Sequence, residues 1–228
     1  MQENMRYPAI PRFLRRWVLH FEAAAEEAVS RLSEDLAPPA QVLAASAGED
    51  PYARLFSRHR YVGVDLGCGD PEWKRWRPEL IAGLASLPFR AECFDACLSV
   101  ATLEHVREPA GALREMARAL RPRGRLLLVV PQEFEVHQAP HDYFRFTRYG
   151  LRYLLEQAGF AEIRIFPVGG FFRLLARRLL GALRFFPGLW SVPAALVLAP
   201  PALLLPVFDW LDRDRNFTLG YICTARKR

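Results

Sequence analysis

From Gln41 onward, short apolar runs bounded by turn residues alternate with helical stretches, and this alternation constrains the fold more than any other feature. It is the pattern of a parallel sheet whose neighbouring strands are joined by crossover helices. Gln41 to Ala45 reads as a first strand, followed by the loop Ser46-Ala47-Gly48-Glu49-Asp50. Asp50 and Pro51 suit the N-cap and first position of a short helix ending near Arg58. Tyr61 to Asp65, Glu79 to Ala82 and Phe94 to Val100 read as the next three strands, and Pro109 to Leu120 as a helix. Arg125 to Val130 is a fifth strand, apolar enough for the centre of a sheet. Thr147 caps a helix that stops at Gly159, and Ala161 to Val168 and Thr218 to Ala225 are the last two strands. Ahead of the sheet, residues 12–34 carry apolar side chains at helical spacing, from Phe13 and Trp17 to Leu32, until Ala37-Pro38-Pro39 ends the run.

The glycine-rich stretch Val64-Asp65-Leu66-Gly67-Cys68-Gly69 looks like a nucleotide-binding loop, but its spacing is wrong for the first turn of such a fold. A crossover needs roughly 10–12 residues before the next strand begins. Too little chain lies between Asp70 and Glu79 to supply it. With the first strand at 41–45, Asp65 instead falls about 20 residues after the loop, where these folds place a carboxylate for a ribose diol. Glycine lets the backbone approach a ligand closely, and an ionised carboxylate accepts both ribose hydroxyls as no neutral side chain does. The alternative for Asp65 is a plain strand-end cap.

At 228 residues the chain holds one α/β domain plus an appendage. Its formal net charge of +6 is compatible with an anionic surface, but no nucleic-acid motif accompanies it. Cys68, Cys93, Cys97 and Cys223 lack zinc-ligand spacing, and Met1 to Pro11 has no apolar leader. Reduced cysteines in a cytoplasmic protein are the expectation.

Several further stretches share an order and spacing. They are Leu87-Pro88-Phe89, Phe94-Asp95-Ala96-Cys97-Leu98-Ser99, Leu103-Glu104-His105-Val106, the run from Leu113 to Leu126, and His141-Asp142-Tyr143-Phe144-Arg145-Phe146-Thr147. With them, the chain from about Gln41 to Ile165 resembles the bacterial class I S-adenosylmethionine-dependent methyltransferases of the type 11 group. The resemblance implies a Rossmann-like α/β fold, a mostly parallel seven-stranded sheet with an antiparallel last strand. It implies S-adenosylmethionine as cofactor and methyl transfer as the reaction. Carried over, Gly48 lies under the methionine part, with Ser46 as a polar loop contact; Asp65, followed by Leu66, holds the ribose. Leu87 lies beside the adenine, its backbone close to the ring, and Ala101 to His105 lines the pocket near the methyl group. Ala44, Ser46 and Gly83 depart from the family pattern, standing where two acids and a glycine are usual. That departure motivates a rival reading, a methyltransferase-fold interaction protein without catalysis.

Methyl transfer needs an aligned nucleophile more than covalent help. A hydroxyl acceptor also needs a base, and histidine serves near neutral pH. His105, at the carboxyl end of the fourth strand, is the first candidate, its alternative being a packed histidine bonded to a backbone carbonyl. His141 and Asp142 are the others, in a cluster with His137 and Tyr143. No metal ligand set is expected, because no helix between Pro131 and Pro140 would bring His137 and His141 onto one face.

Residues 169–210 form an apolar helical insertion between the last two strands, leaving 1–36 as an N-terminal helix and 37–168 with 211–228 as the methyltransferase domain. Arg173, Arg177 and Arg184 share a face of a helix over 171–186, and Phe185 to Phe208 carries no charge. Prolines at 187, 193, 200, 201 and 206 argue against one straight spanning helix. A basic-faced helix on the membrane interface followed by a shallow apolar hairpin fits the segment 171–208, as does a lid or a homo-oligomer interface. The membrane reading places the chain at the inner face of the cytoplasmic membrane, with a small, lipid-like acceptor.

Overall fold

The computed structural model describes residues 16–45, 51–67 and 79–228. Seven strands form one sheet: β1 Gln41–Ala45, β2 Arg60–Asp65, β3 Leu80–Ile81, β4 Phe94–Val100, β5 Leu120–Pro131, β6 Phe160–Val168 and β7 Gly220–Lys227. They lie in the order β3-β2-β1-β4-β5-β7-β6. Only β7 runs antiparallel to its neighbours, β5 and β6. The helices are α1 His20–Asp35, α2 Pro109–Ala119, α3 Arg148–Gln157, α4 Phe171–Ala182 and α5 Ser191–Leu204.

The two-residue period of the strands sorts their side chains into two cores. Val42 and Ala44 of β1, Ala96 and Leu98 of β4 and Leu127 of β5 pack with Val29 and Leu32 of α1. Leu43, Cys97, Leu126 and Leu128 turn to the other face, where Leu113 and Met116 of α2 and Leu151 and Leu155 of α3 cover them. α3 begins where Thr147 accepts the Gly150 N–H at 3.1 Å. It ends just before Gly159, whose φ of +90° suits glycine.

Three sequence expectations change. The helix read over 51–58 is one 3-10 turn, Ala53–Phe56. β5 starts at Leu120, because Leu120 pairs with Phe94 before the chain loops out and rejoins register at Arg125 opposite Ala96. Pro187 stands in the break between the turn ending at Phe185 and the one opening at Gly188, but the prolines after it do not interrupt the insertion. Gly188–Leu211 is a continuous helical stretch, long and apolar enough to cross a membrane and only 11% buried. Pro193 sits in the first turn of α5, where no intrahelical N–H is needed. Pro200 and Pro201 stand inside the helix, and the carbonyls they leave unbonded belong to turns whose side chains, Leu196 and Val197, are exposed.

The insertion is tied at its base. Asp209 accepts the backbone N–H groups of Gly170 and Arg173, both at 3.1 Å, and Asp212 accepts that of Phe171 at 2.8 Å. The outgoing leg thereby caps the N-terminus of α4 on the incoming leg.

Candidate active site

The carboxyl ends of β1, β2, β4 and β5 lie at one edge of the sheet, where open α/β sheets carry their ligands. Asp65 ends β2 as expected, and one of its carboxylate oxygens accepts the Gly67 N–H at 2.7 Å. Leu66 beside it is 58% exposed. A side chain at Gly83 would touch Leu66, so the β2 and β3 ends form one surface. Ala101 follows β4 with φ +49°, a conformation uncommon outside glycine, held by its N–H bond to Val129 O at 2.8 Å. Ser46 and Gly48 lie outside the described residues.

Leu87 is buried, and both of its backbone groups are engaged. Its N–H donates to Glu115 at 3.0 Å and its carbonyl accepts from Arg118 at 3.0 Å. Arg118 also reaches the Phe89 carbonyl at 2.8 Å and pairs with Glu115 at 2.7 Å. The Arg118 guanidinium holds the Glu115 carboxyl below its ordinary range. The Leu87-Pro88-Phe89 turn is thus fastened to α2 by two side chains that sequence reasoning passed over. An acid and an arginine three apart on a helix ordinarily read as a solvated pair.

Across the sheet, the segments after β4 and β5 are laced together. Tyr143 and Phe144 donate their N–H groups to the Glu104 carbonyl at 2.9 and 3.2 Å. His105 Nδ1 meets the His141 carbonyl at 2.7 Å. His141 therefore contributes its backbone here, while its exposed ring turns to the Tyr143 hydroxyl at 3.0 Å. The ring that joins His105 is that of His137, with centroids 4.7 Å apart and planes at 85°.

Asp142 acts as a clasp. It takes two bonds from Arg145, at 2.6 and 2.8 Å, and the His137 N–H at 2.8 Å. Arg145, above all, holds its carboxyl down to about 2. Burial opposes the charged form of His137, but Glu104, the Glu135 carbonyl and Asp142 outweigh it and raise its pKa.

Sheet order, one antiparallel strand and a carboxylate closing β2 define a class I methyltransferase fold. Residues 43–128 match the family model described as Methyltransferase domain. S-adenosylmethionine is the cofactor that this match indicates. Among solved structures, the Burkholderia thailandensis 1,6-didemethyltoxoflavin-N1-methyltransferase, with bound 1,6-didemethyltoxoflavin and S-adenosylhomocysteine, is similar. It shares 24% identity over 94% of this chain and 85% of that one, with a TM-score of 0.57. A Haemonchus contortus phosphoethanolamine N-methyltransferase shares 14% identity over 95% of this chain and 56% of that one, at 0.56. The [4+2]-cyclase SpnF shares 22% identity, covering 88% and 81%, at 0.53. At these identities the likenesses carry the fold alone. No curated protein matches the sequence.

The described part of the site fits the cofactor on its own chemistry. A carboxylate ends β2, an exposed leucine follows it, and a backbone with positive φ follows β4. Replacing Glu115 by alanine strips the Leu87 N–H and the Arg118 guanidinium of a partner. The expected cost is about 2 kcal/mol, read by urea denaturation, with several-fold weaker S-adenosylhomocysteine binding.

Proposed function

We propose that the chain transfers a methyl group from S-adenosylmethionine to a small, hydrophobic, lipid-like acceptor presented at the inner face of the cytoplasmic membrane. The observation that carries the transfer reading is the carboxylate of Asp65 closing β2 at the edge where β1 and β4 also end. In this reading Asp65 holds the ribose, Leu66 and the buried Leu87 flank the adenine, Ser46 and Gly48 meet the methionine part, and Ala101 backs the methyl group. The sulfonium methyl of the cofactor is itself electrophilic, so the protein's work is alignment and exclusion of water. His105 stands on the acceptor side, its ring fixed by the His141 carbonyl; His141 and Asp142 hold the loop around it rather than meeting the acceptor through their side chains.

Support for a lipid-like acceptor comes from the insertion. Leu189 is 94% exposed and Trp190 73%, with Leu196 and Val197 close behind. Two arginines of the basic face expected to meet headgroups are otherwise engaged, Arg173 with Asp209 and Arg177 with Glu22, while Arg184 lies over the Phe185 ring. Membrane contact would therefore be apolar more than electrostatic. In vesicle flotation, neutral phosphatidylcholine vesicles should capture the protein even at high salt. Replacing both Leu189 and Trp190 by aspartate should weaken capture at least ~30-fold, since each buried apolar side chain contributes about 1.5–3 kcal/mol. Capture that needs anionic lipid, or survives the double substitution, contradicts the reading. Without vesicle binding, the same surface is left to a lid role or a second copy of the chain.

The second reading is the non-catalytic scaffold. Ala44 and Gly83 favour it, Ala44 being buried within β1 on the face covered by α1. Transfer of labelled methyl from S-adenosylmethionine into a lipid extract, lost in Asp65→Ala, decides for the enzyme; no transfer into any extract by a chain that binds the cofactor decides for the scaffold.

A further inference from the structure

Glu104 is wholly buried, and neither oxygen of its carboxylate has a hydrogen-bond partner. The nearest cationic or donor groups are two imidazole nitrogens outside bonding distance, His137 Nε2 at 3.7 Å and His105 Nε2 at 3.8 Å. His105 Nε2 is also buried and unpartnered. A carboxylate removed from water with no donor is an unstable arrangement unless a cation sits beside it.

The rings are set for that. His105 Nδ1 faces the His141 carbonyl at 2.7 Å, and the nearest partner of His137 Nδ1 is the Glu135 carbonyl at 3.0 Å. A carbonyl requires the proton on Nδ1, which leaves the Nε2 lone pair of each ring aimed at Glu104. Outer carbonyls fixing the tautomer are the usual support of metal-ligating histidines. The three ligand atoms, one each from Glu104, His105 and His137, all lie within 4.8 Å of one another. Around a tetrahedral ion they would be roughly 3.4 Å apart, so small inward shifts close the set.

We infer that Glu104, His105 and His137 bind one divalent first-row transition cation of the zinc or iron type. Two imidazoles and one carboxylate select such an ion over magnesium or calcium, which take oxygen donors. Three protein ligands leave further positions for water or for an oxygen of the acceptor. The site deepens the methyl-transfer reading, since an acceptor hydroxyl held by the ion would not need His105 as its base. Binding of the ion stands apart from that reading and is measurable without cofactor. The expectation of no metal came from weighing His137 against His141. The ring of His141 is turned to Tyr143, and the actual companions of His137, Glu104 and His105, come from the segment after β4.

The test is a titration of chelator-treated full chain with Co2+, followed by visible d–d absorption, in the absence of S-adenosylmethionine. One equivalent should saturate the signal, Zn2+ should displace it, and Zn2+ should raise the melting temperature. His137→Ala should weaken Co2+ binding at least ~100-fold, beyond the usual effect of losing an outer-sphere partner. Glu104→Gln keeps the side-chain shape and should weaken binding likewise, so the test survives if His137→Ala fails to fold. Absence of a saturable signal from folded wild-type chain overturns the inference, as does undiminished affinity in either folded variant. Loss of cofactor binding in Asp65→Ala leaves this titration unchanged, so the two readings fail separately.

Discussion

Asp65→Ala should weaken S-adenosylhomocysteine binding by roughly 100-fold, while leaving the urea midpoint within error of wild type. A carboxylate that accepts both hydroxyls of a ribose makes two charge-assisted hydrogen bonds, each contributing about 1.5–3 kcal/mol. The full sum is not expected, because water partly replaces the lost acceptor at this half-exposed strand end. One of these oxygens also caps Gly67, so the loop after β2 loses some order with the ribose contact. Asp65→Asn separates the two effects. An amide oxygen still caps Gly67, but it carries no charge and cannot accept both hydroxyls equally. Affinity in Asp65→Asn should therefore lie nearer to the alanine variant than to wild type. Calorimetric titration reads all three. Unchanged affinity in Asp65→Ala would remove Asp65 from the site.

Gly220→Ala should lower stability by about 3 kcal/mol, the upper part of the usual range for overpacking. Gly220 opens β7 where it lies between Pro131 of β5 and Val168 of β6. A methyl group there would overlap the Val130 carbonyl oxygen and the Phe21 ring and come to 2.9 Å from Pro131 Cα. Two of these neighbours are backbone of a central strand, which cannot turn aside as a side-chain tip does. Phe21 is itself packed on Phe134, with ring centroids 5.1 Å apart, and Arg177 lies 4.2 Å over that Phe134 ring. Relief of the overlap would push α1 away from the sheet and disturb the segment that carries His137. The urea midpoint should fall with little change in slope. Gly124→Ala provides a contrast: its added methyl would meet the Arg121 carbonyl at 2.8 Å at the looped-out start of β5, remote from α1. A Gly220→Ala chain as stable as wild type would contradict the close packing of α1, β5 and β7.

Much of this fold was legible because its strands are apolar runs with abrupt ends. β1 and β4 begin and end where Gln41, Ala45, Phe94 and Val100 mark them. Thr147 and Gly159 bracket α3 because capping chemistry is local. The start of β5 was not legible: Arg121-Pro122-Arg123-Gly124 is turn-like composition, and only the pairing of Leu120 with Phe94 makes the strand begin there. At the site, the position of Asp65 follows from spacing along the chain. The meeting of Glu104 with His137 does not, since it depends on two loops crossing an edge of the sheet. Likewise, nothing local to His141 tells that its carbonyl faces His105 while its ring faces Tyr143. The arginines of α4 show the same limit. Their spacing describes one face of a helix, but Asp209 and Glu22, far away in sequence, determine what Arg173 and Arg177 on that face meet.

The central claim is that this domain retains a working S-adenosylmethionine site despite Ala44, Ser46 and Gly83. Calorimetric titration of the folded, detergent-purified full chain with S-adenosylhomocysteine tests it most directly. Saturable heat with one ligand per chain is the expected result. A chain that melts cooperatively yet gives no saturable heat, even at high ligand concentration, would contradict the claim and leave a methyltransferase fold kept for another purpose.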